Sequence, residues 1–202
     1  MKSIQIPFVA LALAGAVVLA GCEAAPTEIP IALDGLQGDH SAHMATTSNS
    51  RAADAPAHGA PDLARMRAGS APYRNFAHAG ADGFIPLSPC VESPMGGMGY
   101  HYGNPQRLGT ISVDPARPEI LLYAPTRNGR MELAGVEFMV NADAWHAAGN
   151  SAPPSVAGVA YDPPNPHHPD PAVAAAYTLH VWLWTHNPSG LFAPFNPRVS
   201  CG

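Results

Sequence analysis

From Phe84 to the C-terminus the chain is a succession of short apolar runs divided by Pro, Gly and Asn. That punctuation restricts it to short elements. Proline fixes φ and removes a backbone donor, so it ends helices and is pushed to the margins of sheets. With 23 prolines and 19 glycines in 202 residues, the apolar runs are best placed as strands. Residues 98–102, 119–124, 132–140, 155–161 and 177–186 carry the β-branched and aromatic content that strands favour. Asn128-Gly129, between the second and third, is a hairpin signal. Segment 162–171 holds five prolines and is expected to be a stiff surface loop. Ahead of Phe84 the pattern is helical. Pro61 and Asp62 suit a helix start, Pro72 interrupts, Ser70 is positioned to cap a second helix, and Gly80 and Gly83 end it. The expected class is therefore α+β, a mostly antiparallel sheet with an N-terminal helical element. Whether the sheet closes into a barrel is left open.

The first 22 residues carry a different message. Lys2 precedes an apolar run from Phe8 to Ala20, and small residues lead up to Cys22. A charged start, a short apolar stretch and a small-residue cleavage site describe a secretory signal peptide. Leu19-Ala20-Gly21-Cys22 resembles the lipobox of bacterial lipoproteins, in which the cysteine is acylated. The expected organisation is a signal peptide over 1–21, a lipidated Cys22 with a flexible tether over 22–60, and one globular domain over 61–202. The tether is rich in Ala, Pro, Ser and Thr, and its His40, His43, Met44 and His58 are read as solvated spacer.

A formal charge of −5 with 12% charged residues leaves no basic footprint for nucleic acid. Lys2 is the only lysine, so no polybasic patch supports membrane binding and the lipid must do so. The expected location is the bacterial cell envelope, with the membrane as partner through the N-terminal lipid. Glu23 after the cysteine fits outer-membrane sorting in a diderm host. Two cysteines remain, Cys90 and Cys201, and in an oxidising compartment a lone pair most often forms a disulfide.

Candidate chemistry starts with the last strand. Alternation places Tyr177, Leu179, Val181 and Leu183 on one face and Thr178, His180, Trp182, Trp184 and His186 on the other. Two indoles and two imidazoles suggest the lining of a ligand groove. His101 shares its strand face with Gly99 and Gly103, which leaves room for close approach. Glu137 sits in the middle of an apolar strand, where an ionised carboxylate needs a partner. Imidazoles and one carboxylate from separate strands form the ligand set of many Zn, Mn, Cu and non-haem Fe sites. Met95 and Met98 near His101 would favour copper, although their glycine neighbours read more simply as a loop. The alternative is a buried Glu–His hydrogen-bonded pair without metal. No nucleophile elbow, P-loop or dinucleotide motif is present.

The stretch from Cys90 to Cys201 resembles a family of uncharacterised exported bacterial proteins. The resemblance rests on Met98-Gly99-Tyr100-His101-Tyr102, Pro118-Glu119-Ile120-Leu121-Leu122-Tyr123, Leu133-Ala134-Gly135-Val136-Glu137-Phe138, Leu179-His180-Val181-Trp182-Leu183-Trp184 and Asn196-Pro197-Arg198-Val199-Ser200-Cys201. It implies one intact domain and brings no activity with it. Three functional expectations follow: a lipoprotein binding a small ligand or metal around His101, Glu137, His180 and Trp182; a metal-dependent enzyme with His186 as acid or base; or a structural envelope protein.

Overall fold

Proline and asparagine set the boundaries of the helical layer. The computed structural model describes residues 59–202, so the expected signal peptide, Cys22 and the expected tether through residue 58 lie outside the described residues. Helix α1 (Ala60–Ser70) has Pro61 at its start and Asp62 in its first turn, where the missing donor costs nothing and the acid meets the positive helix end. Pro72 then tightens the chain into a 3₁₀ turn (Ala71–Arg74). Asn75 caps α2 (Phe76–Ala81) by accepting from the Ala77 amide. The expected cap was Ser70. It lies in helical conformation, so its hydroxyl turns back to the Met66 carbonyl at 2.7 Å.

The sheet is antiparallel throughout. Its strands are β1 (Ile85–Pro86), β2 (Val91–Ser93), β3 (Gly96–Gly103), β4 (Ile120–Pro125), β5 (Met131–Asn141) and β8 (Ala176–Val181). The order is β1-β3-β4-β5-β8, with β2 pairing on the same edge of β3 as β1, and the sheet stays open. Between β4 and β5 the Asn128-Gly129 turn is closed by Gly129 N–H to Thr126 O and Thr126 N–H to Arg130 O, both 2.8 Å. Short helices α3 (Pro105–Leu108), α4 (Ala142–Ala147) and α5 (Pro171–Ala174) fill the connections, each capped by an Asn or Asp side chain. No helix among the described residues is long and apolar enough to cross a membrane.

Two expected strands differ from the structure. Residues 155–161 do not run straight: β6 (Ser155–Val156) and β7 (Val159–Ala160) fold on each other. Ala157 and Gly158 both have positive φ, as a two-residue hairpin turn requires, and the Ala157 amide is held by Asp62 Oδ2 at 3.0 Å. The last strand stops at Val181 rather than His186. Trp182 N–H donates to Leu191 O instead of β5, and the Trp184 and Thr185 amides both donate to Ala134 O. The chain thereby crosses β5 at Gly135, where a Cβ would sit 2.6 Å from Val181 O. Alternation therefore ends there, and the residues beyond 181 no longer share one face.

Both faces of the sheet are covered, which is why residues 133–140 of β5 are all buried. The helical side holds Met66, Tyr73, Phe84, Tyr123, Phe138 and Leu179, among others. The opposite side holds Leu87, Ile120, Leu122, Met139, Trp182 and Val199, drawn from the sheet and from irregular segments. A bulge at Ala134 resets the alternation: Leu122 faces Gly135 while Tyr123 faces Leu133. Leu133 and Val136 consequently both join the helical side. Cys90 and Cys201 form a disulfide with Cα atoms 5.7 Å apart and a sequence separation of 111. It ties the C-terminal segment beside β2, where the Cys201 amide also donates to Glu92 Oε2 at 2.7 Å. The proline-rich segment is irregular as expected, but it is not wholly on the surface, since His168 and Asp170 are buried.

Candidate metal centre

Register brings the chemistry together. Glu137 on β5 stands directly opposite His180 on β8, and Ile120 of β4 faces Glu137 from the other side. His101 lies on β3 opposite Leu122, with β4 between it and β5. From these places Glu137 Oε2 lies 3.6 Å from His101 Nε2 and 3.8 Å from His180 Nε2. One donor atom from each of the three residues lies within 4.8 Å of the others. The imidazole rings are edge-on, at 88° and 6.1 Å between centroids. All three residues are enclosed, at 1%, 2% and 1% exposure for His101, Glu137 and His180.

These separations exceed hydrogen-bonding distance, yet they suit a shared ion. Among the described residues Glu137 Oε2 accepts no hydrogen bond, although it is buried. An ion about 2.1 Å from each donor spans at most about 4.2 Å between donors, so a modest side-chain movement seats one here. Burial pushes the Glu137 carboxyl up to about 8, and the charges of Glu119 and Asp162 add to the shift. Glu119 is a second enclosed carboxyl. It accepts from the Met139 amide at 3.2 Å, and burial carries it to about 8 despite that bond and the pull of Arg107.

Behind His101 stands Ser88, a residue that sequence patterning does not single out. Its Oγ lies 3.0 Å from His101 Nδ1, and its hydroxyl donates to Pro89 O at 2.8 Å. No local signal marks Ser88, because its role depends on a strand thirteen residues away in sequence. Sequence patterning likewise does not mark Glu119 and Asp162, whose charges act on Glu137 only through the folded sheet.

The remaining candidates lie elsewhere. His186 is exposed, and its backbone carbonyl accepts from Asn196 Nδ2. Trp184 belongs to the helical side: its Nε1 donates to Ser70 Oγ at 3.2 Å, and the Arg74 guanidinium lies 5.0 Å from its ring centroid. Trp182 stays on the same face as His180, but it is packed in the apolar cluster with its Nε1–H bonded to Ala193 O. Trp182 therefore serves packing, while the half-buried Trp184 lines a separate surface cavity of about 530 Å³ with Arg74, Arg130 and Glu132; the two indoles part because the strand that would have aligned them ends at Val181. The space beside His101 is also filled. A Cβ at Gly103 would meet Leu87 and one at Gly99 would meet the Tyr123 carbonyl, so the glycines admit neighbouring chain rather than a ligand. Met98 packs with Val91 and Phe195 and Met95 is exposed, so neither joins the donor set.

Comparison of the chain with protein-family models, curated proteins and solved structures finds no match, so the site is read from its own geometry.

Proposed function

We propose that this protein is a lipid-anchored domain of the bacterial cell envelope that binds one divalent transition metal through His101, Glu137 and His180. One observation carries the reading: a buried Glu137 oxygen without a hydrogen bond stands between two imidazole nitrogens at 3.6 and 3.8 Å. A carboxylate in such a place is costly unless a positive charge meets it. Two imidazoles and one carboxylate form a borderline donor set that suits Zn²⁺, Fe²⁺, Mn²⁺ or Cu²⁺ and disfavours Ca²⁺ and Mg²⁺. Enclosure of all three donors favours retention of an ion over turnover, since a catalytic centre keeps a position that substrate can reach. The Cys90–Cys201 disulfide accords with an oxidising compartment, and the lipobox-like Leu19-Ala20-Gly21-Cys22 supplies the anchor.

Elemental analysis of protein exported in its host and purified without chelator or His-tag tests the reading. About one equivalent of metal per chain is expected, lost in the His101→Ala/His180→Ala variant. Metal-free protein that neither contains an ion nor gains thermal stability from added Zn²⁺, Mn²⁺, Fe²⁺ or Cu²⁺ overturns it. For the anchor, Cys22→Ser is expected to leave the protein unacylated and soluble, and quantitative membrane partitioning of that variant refutes the lipid.

A further inference from the structure

We infer that Ser88 is the positioning residue of this centre: it holds His101 in the tautomer that presents an unprotonated Nε2 to the ion. The inference rests on the metal-binding reading for its consequence, although the tautomer can be tested without any metal. A serine hydroxyl has a single proton. The Pro89 carbonyl can only accept, and Ser88 Oγ lies 2.8 Å from it, so that proton is committed there. Oγ then meets His101 Nδ1 at 3.0 Å as an acceptor, and Nδ1 must carry the ring proton. In a neutral imidazole this leaves Nε2 bare. Nε2 is the atom 3.6 Å from Glu137 Oε2. A partner on the far nitrogen that fixes tautomer and ring orientation is the usual companion of a metal-ligating histidine.

The chain around Ser88 is built to keep it there. Leu87 N–H donates to the backbone carbonyl of His101 itself at 2.8 Å. The Leu87 side chain packs into the cluster with Ile120, Leu122 and Val199. Two residues beyond Ser88, Cys90 is bonded to Cys201, and Pro89 between them stiffens the link. Ser88 is 6% exposed, so water does not compete effectively for His101. A hydroxyl in an irregular segment, secured on one side by the histidine's own backbone and on the other by a disulfide, is placed more firmly than capping or turn formation needs.

Histidine side-chain ¹H–¹⁵N NMR on the metal-free wild-type protein, with Zn²⁺ and Co²⁺ titrations of wild type, Ser88→Ala and Ser88→Thr, tests the inference. The expected wild-type ring is protonated at Nδ1 and bare at Nε2. A ring protonated at Nε2, neutral or cationic, overturns the inference whatever the metal result. Ser88→Ala is expected to bind Zn²⁺ about 10- to 100-fold more weakly and to alter the Co²⁺ absorption spectrum, while Ser88→Thr, which keeps the hydroxyl, restores both. Equal Zn²⁺ affinity in wild type and Ser88→Ala refutes the positioning role. A wild-type protein that binds no ion refutes the metal reading instead, while the NMR result still decides the tautomer.

Discussion

The two faces of the sheet are equally buried but differ in composition. On the helical face the core is aliphatic and aromatic: Tyr123 O–H donates to Tyr73 O at 2.7 Å and Trp184 Nε1 to Ser70 Oγ, while the buried Tyr161 hydroxyl neither accepts nor donates a hydrogen bond among the described residues. The opposite face encloses His101, Glu137 and His180 beside an apolar cluster, under a cover of loop and C-terminal segment to which only the short helices α3 and α5 add Leu108, Ala172 and Val173. Hydrophobic burial alone accounts for the first arrangement. It does not account for the second, where one oxygen of the Glu137 carboxyl lies between imidazoles without a hydrogen bond. A face that carries such a cost within a stable fold is where function is expected to reside. The difference separates stability from binding, and each can be perturbed alone.

The largest expected effect strikes the cover of the polar face. Replacing both Cys90 and Cys201 by Ala removes the constraint on a 111-residue loop and is expected to lower the unfolding free energy by about 4–5 kcal/mol in denaturant titration. A loss below about 1 kcal/mol would mean that the C-terminal segment is held by other contacts. Next comes the helical face. Phe138 is fully buried, and Phe138→Ala should destabilise by about 3–5 kcal/mol while the folded fraction keeps its metal affinity. Loss of metal binding by this variant at temperatures where it is folded would erase the distinction between the faces.

The third effect is of pH. Glu119 and Glu137 both titrate near 8 in the folded protein, well above the ordinary value of 4.5. The folded state therefore holds protons that the unfolded chain has released. Their stabilisation is complete below about pH 4.5 and is lost as pH rises through about 8. Metal-free protein should melt at a lower temperature at pH 9 than at pH 5.5. Zn²⁺ should raise the melting temperature more at the higher pH, because the bound carboxyl must be ionised. Equal melting temperatures across that range would show that these carboxyls are not desolvated.

Glu137→Gln retains the shape of the site and removes its charge. Zn²⁺ at 100 times its dissociation constant stabilises a folded protein by about 2.7 kcal/mol, and this variant should forfeit that gain. Its metal-free form should melt no lower than wild type at pH 9, since no buried charge remains at position 137. A Zn²⁺ shift as large as that of wild type would remove Glu137 from the centre. The smallest effect lies outside both faces. Arg130 and Glu132 form an ion pair at 3.4 Å with side chains 74% and 63% exposed, and Arg130→Ala should change stability by no more than about 0.5 kcal/mol. A larger loss in thermal unfolding would assign this hairpin a packing role.

Sequence alone determined the features set by local chemistry. Proline and glycine spacing located β3, β4 and β5 to within two residues, Asn128-Gly129 placed the hairpin, and Pro61 and Pro72 organised the helical element. The apolar environment of Glu137 marked it as exceptional, because a carboxyl among Val136, Phe138 and Met139 violates strand patterning. Tertiary structure decided the rest. Where β8 ends depends on Trp182 pairing with Leu191, in the loop that follows, rather than with β5, so the separation of Trp182 from Trp184 and the exclusion of His186 follow from a loop hydrogen bond that strand alternation does not anticipate. The cap at Asn75 instead of Ser70 reflects backbone conformation, helical at Ser70 and extended at Asn75. That His180, rather than another histidine, faces Glu137 is a matter of register between β5 and β8. Ser88 became visible only when the chain before Cys90 folded back against β3. Periodicity reports which side of a strand a residue occupies. Which residue it meets there is settled by pairing across the sheet, and no window of adjacent residues contains that information.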